Sequence, residues 1–273
     1  MDPIKEALTF DDVTLAPNYS EILPSETNTF TKLSNNLTLK IPLISSAMDT
    51  VTEGRMAATI AEKGGIGVIH RNLSIKKQVD EIQKVKNKKL LVGAAVGASL
   101  DEHKRAERLL KENIDLIVVD TAHGHTKKVS DIIKKIVKIK PKKTTLCAGN
   151  IATAEAAKFL IKLGVDIIKV GIGPGSICTT RLVTGIGVPQ LSAIINVRKA
   201  IGKNKTTLIA DGGIKFSGDL AKALSAGADA IMIGSLFAGT DQSPGKIIKK
   251  NGKLYKIFRG MGSIGAMNKG SAD

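Results

Sequence analysis

Tryptophan is absent from this sequence, tyrosine occurs twice, and aromatic residues of all kinds make up 3% of its 273 residues. So few rings, none interleaved with the basic residues, argue against a stacking surface for single-stranded nucleic acid. Cysteine is as scarce: Cys147 and Cys178 are the only two. Two cysteines do not make a disulfide framework, so the expected setting is reducing and cytoplasmic. No apolar run reaches the length of a membrane span. The charged start, Met1-Asp2-Pro3-Ile4-Lys5-Glu6, lacks the apolar stretch of a secretory leader. Acidic residues are in deficit, 25 against 41 Lys and Arg, for a formal charge of +16. That balance attracts anions, whether polynucleotide, membrane surface or phosphorylated metabolite. The lysines are scattered through helix-like stretches such as 134–135 and 249–250, which reads as a solvated surface rather than a nucleic-acid footprint.

The dominant positive feature is alternation. Short β-branched apolar runs alternate with amphipathic stretches of helical length, the pattern of a parallel sheet with crossover helices. Strands are predicted at 42–46, 65–69, 90–96, 116–120, 144–148, 167–171, 207–211 and 230–235. Ile75, Val79, Ile82 and Val85 recur at helical spacing, as do Val129, Ile132, Ile133 and Ile136. Ser99 followed by Glu102 predicts a capping box. Gly164 and Gly227 fall where helices should end before the sixth and eighth strands. Residues 157–166 are echoed by 221–229, a repeated helix–Gly–Asp–strand unit. Eight units without a reversal of order favour a closed (β/α)8 TIM barrel over the rival doubly wound open sheet. The reading is one domain over 1–273. Residues 1–41 lie outside the eight units. No closing helix is legible after the eighth strand, so the C-terminus reads as cut short.

In such barrels the chemistry sits at the C-terminal ends of the strands. Those ends are polar here: Ser46, Met48 and Asp49 after the first, Asp120, His123 and His125 after the fourth, Asn150 after the fifth. Gly212-Gly213 and Gly234-Ser235 follow the last two strands, where barrels often bind phosphate through backbone N–H groups; ordinary turn glycines are the plainer alternative. Cys178 lies in the glycine-rich run GIGPGSICTTR at 171–181. A cysteine on such a loop, near backbone donors and Arg181, suits a thiolate nucleophile. A small buried apolar role is the alternative, and it is the role read for Cys147. Two features are discounted. Gly260, Gly262 and Gly265 match G-x-G-x-x-G but sit in no strand–helix unit. His123 and His125 lack a third metal ligand at suitable spacing and read as a hydrogen-bonding loop pair.

These residues bring out a resemblance. The runs LTFDDV at 8–13, ISSAMDTV at 44–51, VGAAV at 92–96, DTAHGH at 120–125, the cysteine loop, IADGGI at 209–214 and RGMGS at 259–263 together resemble the inosine-5′-monophosphate dehydrogenase family. The resemblance implies a barrel that oxidises IMP to XMP with NAD. It implies that Cys178 attacks C2 of the purine and forms a covalent thioimidate, with Thr180 orienting the hydrolytic water. Ser176, Asp211, Gly213, Gly234, Ser235 and Tyr255 would hold the ribose and phosphate. Met48, Met261 and Gly262 would line the base, with Ser46 nearby. Asp120, Thr121, Ala122, Asn150 and Gly171 would face NAD, Asp120 on a ribose hydroxyl. Carbonyls of Gly173, Gly175 and Cys178 would form half of a potassium (K+) site, and the family is usually tetrameric.

Two departures accompany the resemblance. Members often carry regulatory CBS modules after the second helix, whereas residues 81–89 run almost straight into the third strand. The family's mobile flap, with an arginine base and the rest of the potassium site, would follow Asp273. Without it the resemblance implies weak IMP binding and slow hydrolysis of the intermediate. Guanosine-monophosphate reductase, which shares the barrel and cysteine loop, is the nearest rival. A non-catalytic module binding nucleotides or nucleic acid is the rival from another class.

Overall fold

The computed structural model describes residues 5–99 and 101–266. A short hairpin, β1 (Thr31–Lys32) and β2 (Thr38–Leu39), precedes eight parallel strands. These are β3 (Leu43–Ser45), β4 (Ile66–Ile69), β5 (Val92–Val96), β6 (Leu116–Asp120), β7 (Thr145–Ile151), β8 (Ile167–Val170), β9 (Thr207–Asp211) and β10 (Ala230–Ile233). They pair in chain order, and β10 returns to pair with β3, Met232 opposite Ile44, so the barrel is closed. Every predicted strand is present, with ends shifted by up to three residues.

Helices α1 (Gly54–Glu62), α2 (Ile75–Lys86), α3 (Glu102–Leu110), α4 (Lys127–Ile139) and α5 (Ala154–Lys162) follow the first five barrel strands in turn. The helical turn α6 (Thr180–Thr184) and α7 (Gln190–Ile201) follow β8; α8 (Ser217–Ser225) follows β9; and α9 (Ser235–Ala238) follows β10. A second hairpin, β11 (Ile248–Lys250) with β12 (Lys253–Tyr255), and the turn α10 (Ile264–Ala266) complete the described chain. Residues 87–91 alone join α2 to β5, so no module is inserted at that junction.

Local sequence explains the ends of the helices. The Thr126 hydroxyl accepts from Val129 N at 3.3 Å and starts α4, whose Val129, Ile132, Ile133 and Ile136 are buried against the sheet. Burying each such side chain contributes about 1.5–3 kcal/mol. Gly164 and Gly227 take φ of 82° and 108° just past α5 and α8, as expected of helix-ending glycines. The capping box at Ser99 does not form as predicted. Glu102 is itself the first residue of α3, and its carboxylate accepts from Gly97 N at 2.5 Å and from Arg105 Nε at 2.9 Å. The backbone between β5 and α3 offers that buried carboxylate a nearer donor than the Ser99 amide.

Within the stretch that precedes the repeating units, residues 31–39 supply the floor. Leu33, Leu37 and Leu39 are fully buried with Ile44, Leu116, Ile167 and Ile209 inside the N-terminal end of the barrel. The hairpin is pinned there by Thr207 Oγ1 donating to the Leu33 carbonyl at 2.7 Å and Thr31 Oγ1 to the Asp229 carbonyl at 2.8 Å. Phe10, 3% exposed, straps the outer layer, and Lys222 Nζ donates to its carbonyl at 2.8 Å. With the lower end plugged, the open end is the one where the strands finish.

Truncation of the plug should therefore be costly. Leu37→Ala is expected to lower unfolding stability by about 2–5 kcal/mol in urea titrations. Tyr19→Ala, at a residue 84% exposed, should change it by less than about 0.5 kcal/mol.

Candidate active site

The ends of β3, β4, β6, β7, β8, β9 and β10, with the loops that follow them, line a cleft of about 550 Å³. A groove of similar size, about 600 Å³, lies outside the barrel against α5 and α7, lined by Lys158 and Lys199 among others, and contains none of the strand-end residues.

The deepest charge in the cleft is Lys169. It sits in β8 between apolar neighbours, its side chain 3% exposed, and Nζ meets Asp120 Oδ1 at 2.7 Å and Asp211 Oδ2 at 2.7 Å. Asn150 Oδ1 accepts a third bond from the same ammonium. Asn150 Nδ2 then donates to Asp211 Oδ2 at 2.9 Å and to the Gly171 carbonyl at 2.8 Å. Burial opposes the charged ammonium, but two carboxylates outweigh it and hold the Lys169 pKa well above the ordinary lysine value. The network ties the ends of β6, β7, β8 and β9 together. Lys169 escapes motif reasoning, although a lone lysine inside the run Ile167-Ile168-Lys169-Val170 is a signal: a buried strand tolerates a charge only when partners await it.

Most residues named from sequence meet at this end. Ser46 and Met48 come from the β3 loop, and Asp120, Thr121 and Ala122 from β6. Gly171, Gly173, Gly175, Ser176, Cys178 and Thr180 come from the β8 loop, and Asp211 and Gly213 from β9. Gly234 and Ser235 follow β10, while Met261 and Gly262 enter from the C-terminal segment. Tyr255 is the exception: it stands on the β11–β12 hairpin, 50% exposed, and is not part of the lining. Arg71, Lys215 and Phe258 also line the cleft and carried no motif. Gly171 needs to be glycine, since a Cβ there would lie 2.1 Å from the Asp211 carbonyl oxygen.

Several groups are placed for a ligand. Ser46 is 5% exposed and lines the cleft, and among the described residues its hydroxyl has no hydrogen-bond partner. Asp120 engages Lys169 through Oδ1, leaving Oδ2 available. The Cys178 thiol donates to Thr180 Oγ1 at 3.3 Å. Cys147 faces the barrel interior at 0% exposure, and burial pushes its thiol pKa strongly up; it is inert packing, as read from sequence. His123 and His125 are exposed and meet each other edge-on with ring centroids 6.4 Å apart, and His125 stacks at a tilt on Phe159 at 4.7 Å.

A second network fixes the Met261 wall. Arg259 clasps Asp49 with both Nε, at 3.2 Å, and Nη2. Asn72 Nδ2 donates to Asp49 Oδ2 at 3.0 Å, and Asp49 N donates to Met261 Sδ at 3.4 Å. Burial raises the Asp49 pKa, but the bonds from Arg259 and Asn72 prevail and keep it below the ordinary aspartate value. His70 Nδ1 accepts from Asn72 N at 3.1 Å, which puts its proton on Nε2, 3.4 Å from Glu53 Oε1. Residues 260–263 thus form a cleft wall between the second hairpin and α10, and the 260–265 run sits in no strand–helix unit.

The lysine network makes a prediction with a defined sign. Lys169→Met leaves two carboxylates facing each other and should cost about 3 kcal/mol, because removing one partner strands a buried charge. Since the folded pKa of Lys169 is raised, its contribution is complete below the ordinary lysine pKa and is lost as pH rises beyond it. The stability gap between parent and variant, from urea titration, should be constant over about pH 7–9 and narrow above about pH 10.4. A gap that widens there would contradict the assignment.

The chain matches the IMP dehydrogenase / GMP reductase domain family over residues 7–273. It is 48% identical to an inosine-5′-monophosphate dehydrogenase of Borreliella burgdorferi, across 98% of this chain and 78% of that protein. It is 46% identical to one of Cryptosporidium parvum, across 99% and 77% of the two chains. A Staphylococcus aureus enzyme of the same name is 38% identical across 98% and 81%. By its barrel, its strand-end residues and these matches, the chain belongs to the IMP dehydrogenase / GMP reductase family.

Proposed function

We propose that the barrel is a single catalytic unit that oxidises IMP to XMP, with Cys178 as the nucleophile and NAD as hydride acceptor. The observation that carries this reading is the contrast between the two thiols. Cys178 reaches the cleft on a mobile type of sequence, rich in glycine and beside Thr180, while Cys147 is sealed in the barrel. In the proposed first step the Cys178 thiolate bonds to C2 of the hypoxanthine ring. The C2 hydrogen leaves with its electron pair, and bound NAD supplies the site that receives it. The ring stays attached to Sγ as a thioimidate. Water then adds to C2, loses a proton, and the C2–Sγ bond breaks to release XMP. Splitting the reaction this way replaces one high barrier with two lower ones.

Residue chemistry supports the assignments by degrees. The unsatisfied Ser46 hydroxyl, Met48, Met261 and Gly262 suit the base, and Asp211 suits a ribose hydroxyl. Gly213 at φ 84°, Gly234, Ser235 and Ser176 suit a phosphate approached by backbone and hydroxyl groups. Tyr255 stays in the reading only if the hairpin moves toward the cleft. Asp120 Oδ2 is free to take a ribose hydroxyl of NAD, with Thr121, Ala122 and Gly171 around it. The Asn150 amide is already committed to Lys169, Asp211 and Gly171, so its part is positioning. Thr180 is within reach of Sγ and suits the orientation of water. Gly173, Gly175 and Cys178 lie on one loop at the cleft, and their carbonyls would supply oxygen donors of the kind that suit a hard cation such as K+. One of them, Gly175, also accepts from Cys178 N at 3.1 Å. A homotetramer is part of the same reading, supported by Leu182, Val183 and Ile186 exposed beside the cleft. A cytoplasmic setting is supported by the free thiols. Among the described residues no helix is long and apolar enough to cross a membrane.

The decisive assay is NADH formation from IMP and NAD, run beside GMP with NADPH. Turnover only in the first mixture supports the dehydrogenase, and turnover only in the second supports the reductase. Cys178→Ala should lower the rate by more than about a thousandfold. Intact mass after incubation with IMP and NAD should show an adduct on the parent and none on the variant. Full activity without Cys178 would sink the mechanism.

A further inference from the structure

Residues 172–188 leave the barrel after β8 and return at the start of α7. One side chain ties the two limbs of this excursion together. Arg181, on α6 just past Cys178, donates from Nε to the Ile172 carbonyl at 3.1 Å and from Nη2 to the Val188 carbonyl at 2.5 Å. Ile172 opens the outgoing limb and Val188 closes the returning one. Glycines on both limbs make room for the arginine. A Cβ at Gly173 would stand 2.6 Å from Arg181 Cγ, and one at Gly187 would stand 2.6 Å from Arg181 Nε. Beyond the neck, Cys178 N closes a turn onto the Gly175 carbonyl at 3.1 Å, and α6 ends at Gly185 with φ of 68°. In the sequence Arg181 reads as a nearby group, with backbone donors, that could favour the Cys178 thiolate. Both hydrogen bonds of its guanidinium go to carbonyls instead, and the thiol is paired with Thr180.

We propose that Arg181 is a positioning residue that closes the neck of the 172–188 loop and thereby holds Cys178 and Thr180 over the strand-end carboxylates. The inference rests on Cys178 being the nucleophile, and adds how its loop is held. A limb carrying Gly171, Gly173 and Gly175 has little conformational order of its own, so a loop this long needs a fixed chord. The planar guanidinium suits the task because its fork reaches two carbonyls in set directions. An ammonium on a flexible stem is a point charge without that fork. The geometry also explains why Gly173 and Gly187 carry no side chains: each would occupy the space the arginine fills.

The test compares the full chain with Arg181→Gln and Arg181→Lys by hydrogen exchange, by iodoacetamide labelling of Cys178 with and without IMP, and by single-turnover hydride transfer. Amides of 172–188 should exchange at least about tenfold faster in Arg181→Gln, with Arg181→Lys intermediate, while strand amides and Tm stay at parent values. Hydride transfer should slow on the order of a hundredfold, with KM for IMP within about threefold of the parent. If Arg181→Gln loosens the barrel strands too, Arg181→Lys, which keeps the charge, decides the comparison. Parent-like exchange over 172–188 overturns the neck clamp whatever the activity. Failure of IMP to protect Cys178 in the parent overturns the nucleophile assignment instead, and the exchange data still decide the clamp.

Discussion

A buried ammonium held between two carboxylates organises this molecule's working end. Lys169 projects from β8 where a strand of a parallel barrel should carry an apolar residue. Desolvating it alone would be prohibitive. Asp120 from β6 and Asp211 from β9 repay that cost at 2.7 Å each, and Asn150 from β7 fills the remaining position. Neither carboxylate could sit so near the other without the lysine between them. The charge pattern therefore does two things together. It locks four consecutive strand ends in register, and it fixes Asp120 at the cleft wall through one of its two carboxylate oxygens. A geometry this constrained costs little reorganisation when a ligand arrives.

Around that rigid centre the other walls are hung on arginine forks. Arg259 clasps Asp49 and so docks the 259–263 segment against the β3 loop. Arg181 grips backbone carbonyls at both ends of the cysteine loop. Both walls come from irregular, glycine-bearing chain that hydrophobic burial cannot order, since they bury little. Directional bonds to a planar cation supply the order that packing supplies elsewhere. The division suits a two-step covalent reaction, in which strand ends hold the nucleotide still while loops carry the nucleophile and the base-lining wall.

The legible parts of the chain were those governed by short-range periodicity. Val129, Ile132, Ile133 and Ile136 announce a helix because 3.6-residue spacing is local, and their burial in α4 follows. Glycines at 164 and 227 announce helix ends for an equally local reason, the left-handed backbone. The capping box at Ser99 failed because Glu102 found a closer donor in Gly97 N. Residues 31–39 belong to the stretch that reads as lying outside the eight units, yet Leu33, Leu37 and Leu39 plug the barrel. Nothing in a nine-residue stretch with three leucines says which cavity it fills. At the site, strand-end position alone gathered nearly every residue the motifs named. Lys169 was passed over because its partners lie 49 and 42 residues away. Tyr255 was included because the family resemblance implied it, and its hairpin stands it at the surface.

By itself, then, the sequence determined the eight alternating units, the residues at each strand end, and which of two cysteines is available for chemistry. Those properties follow from periodicity, turn propensity and residue type, all of which act over a few positions. Tertiary structure alone decided that β10 closes on β3, that Asp120, Asn150 and Asp211 converge on one lysine, and that Arg181 faces carbonyls rather than sulfur. Those outcomes depend on which distant groups share a low-dielectric space, where each buried charge and each open carbonyl must find a partner.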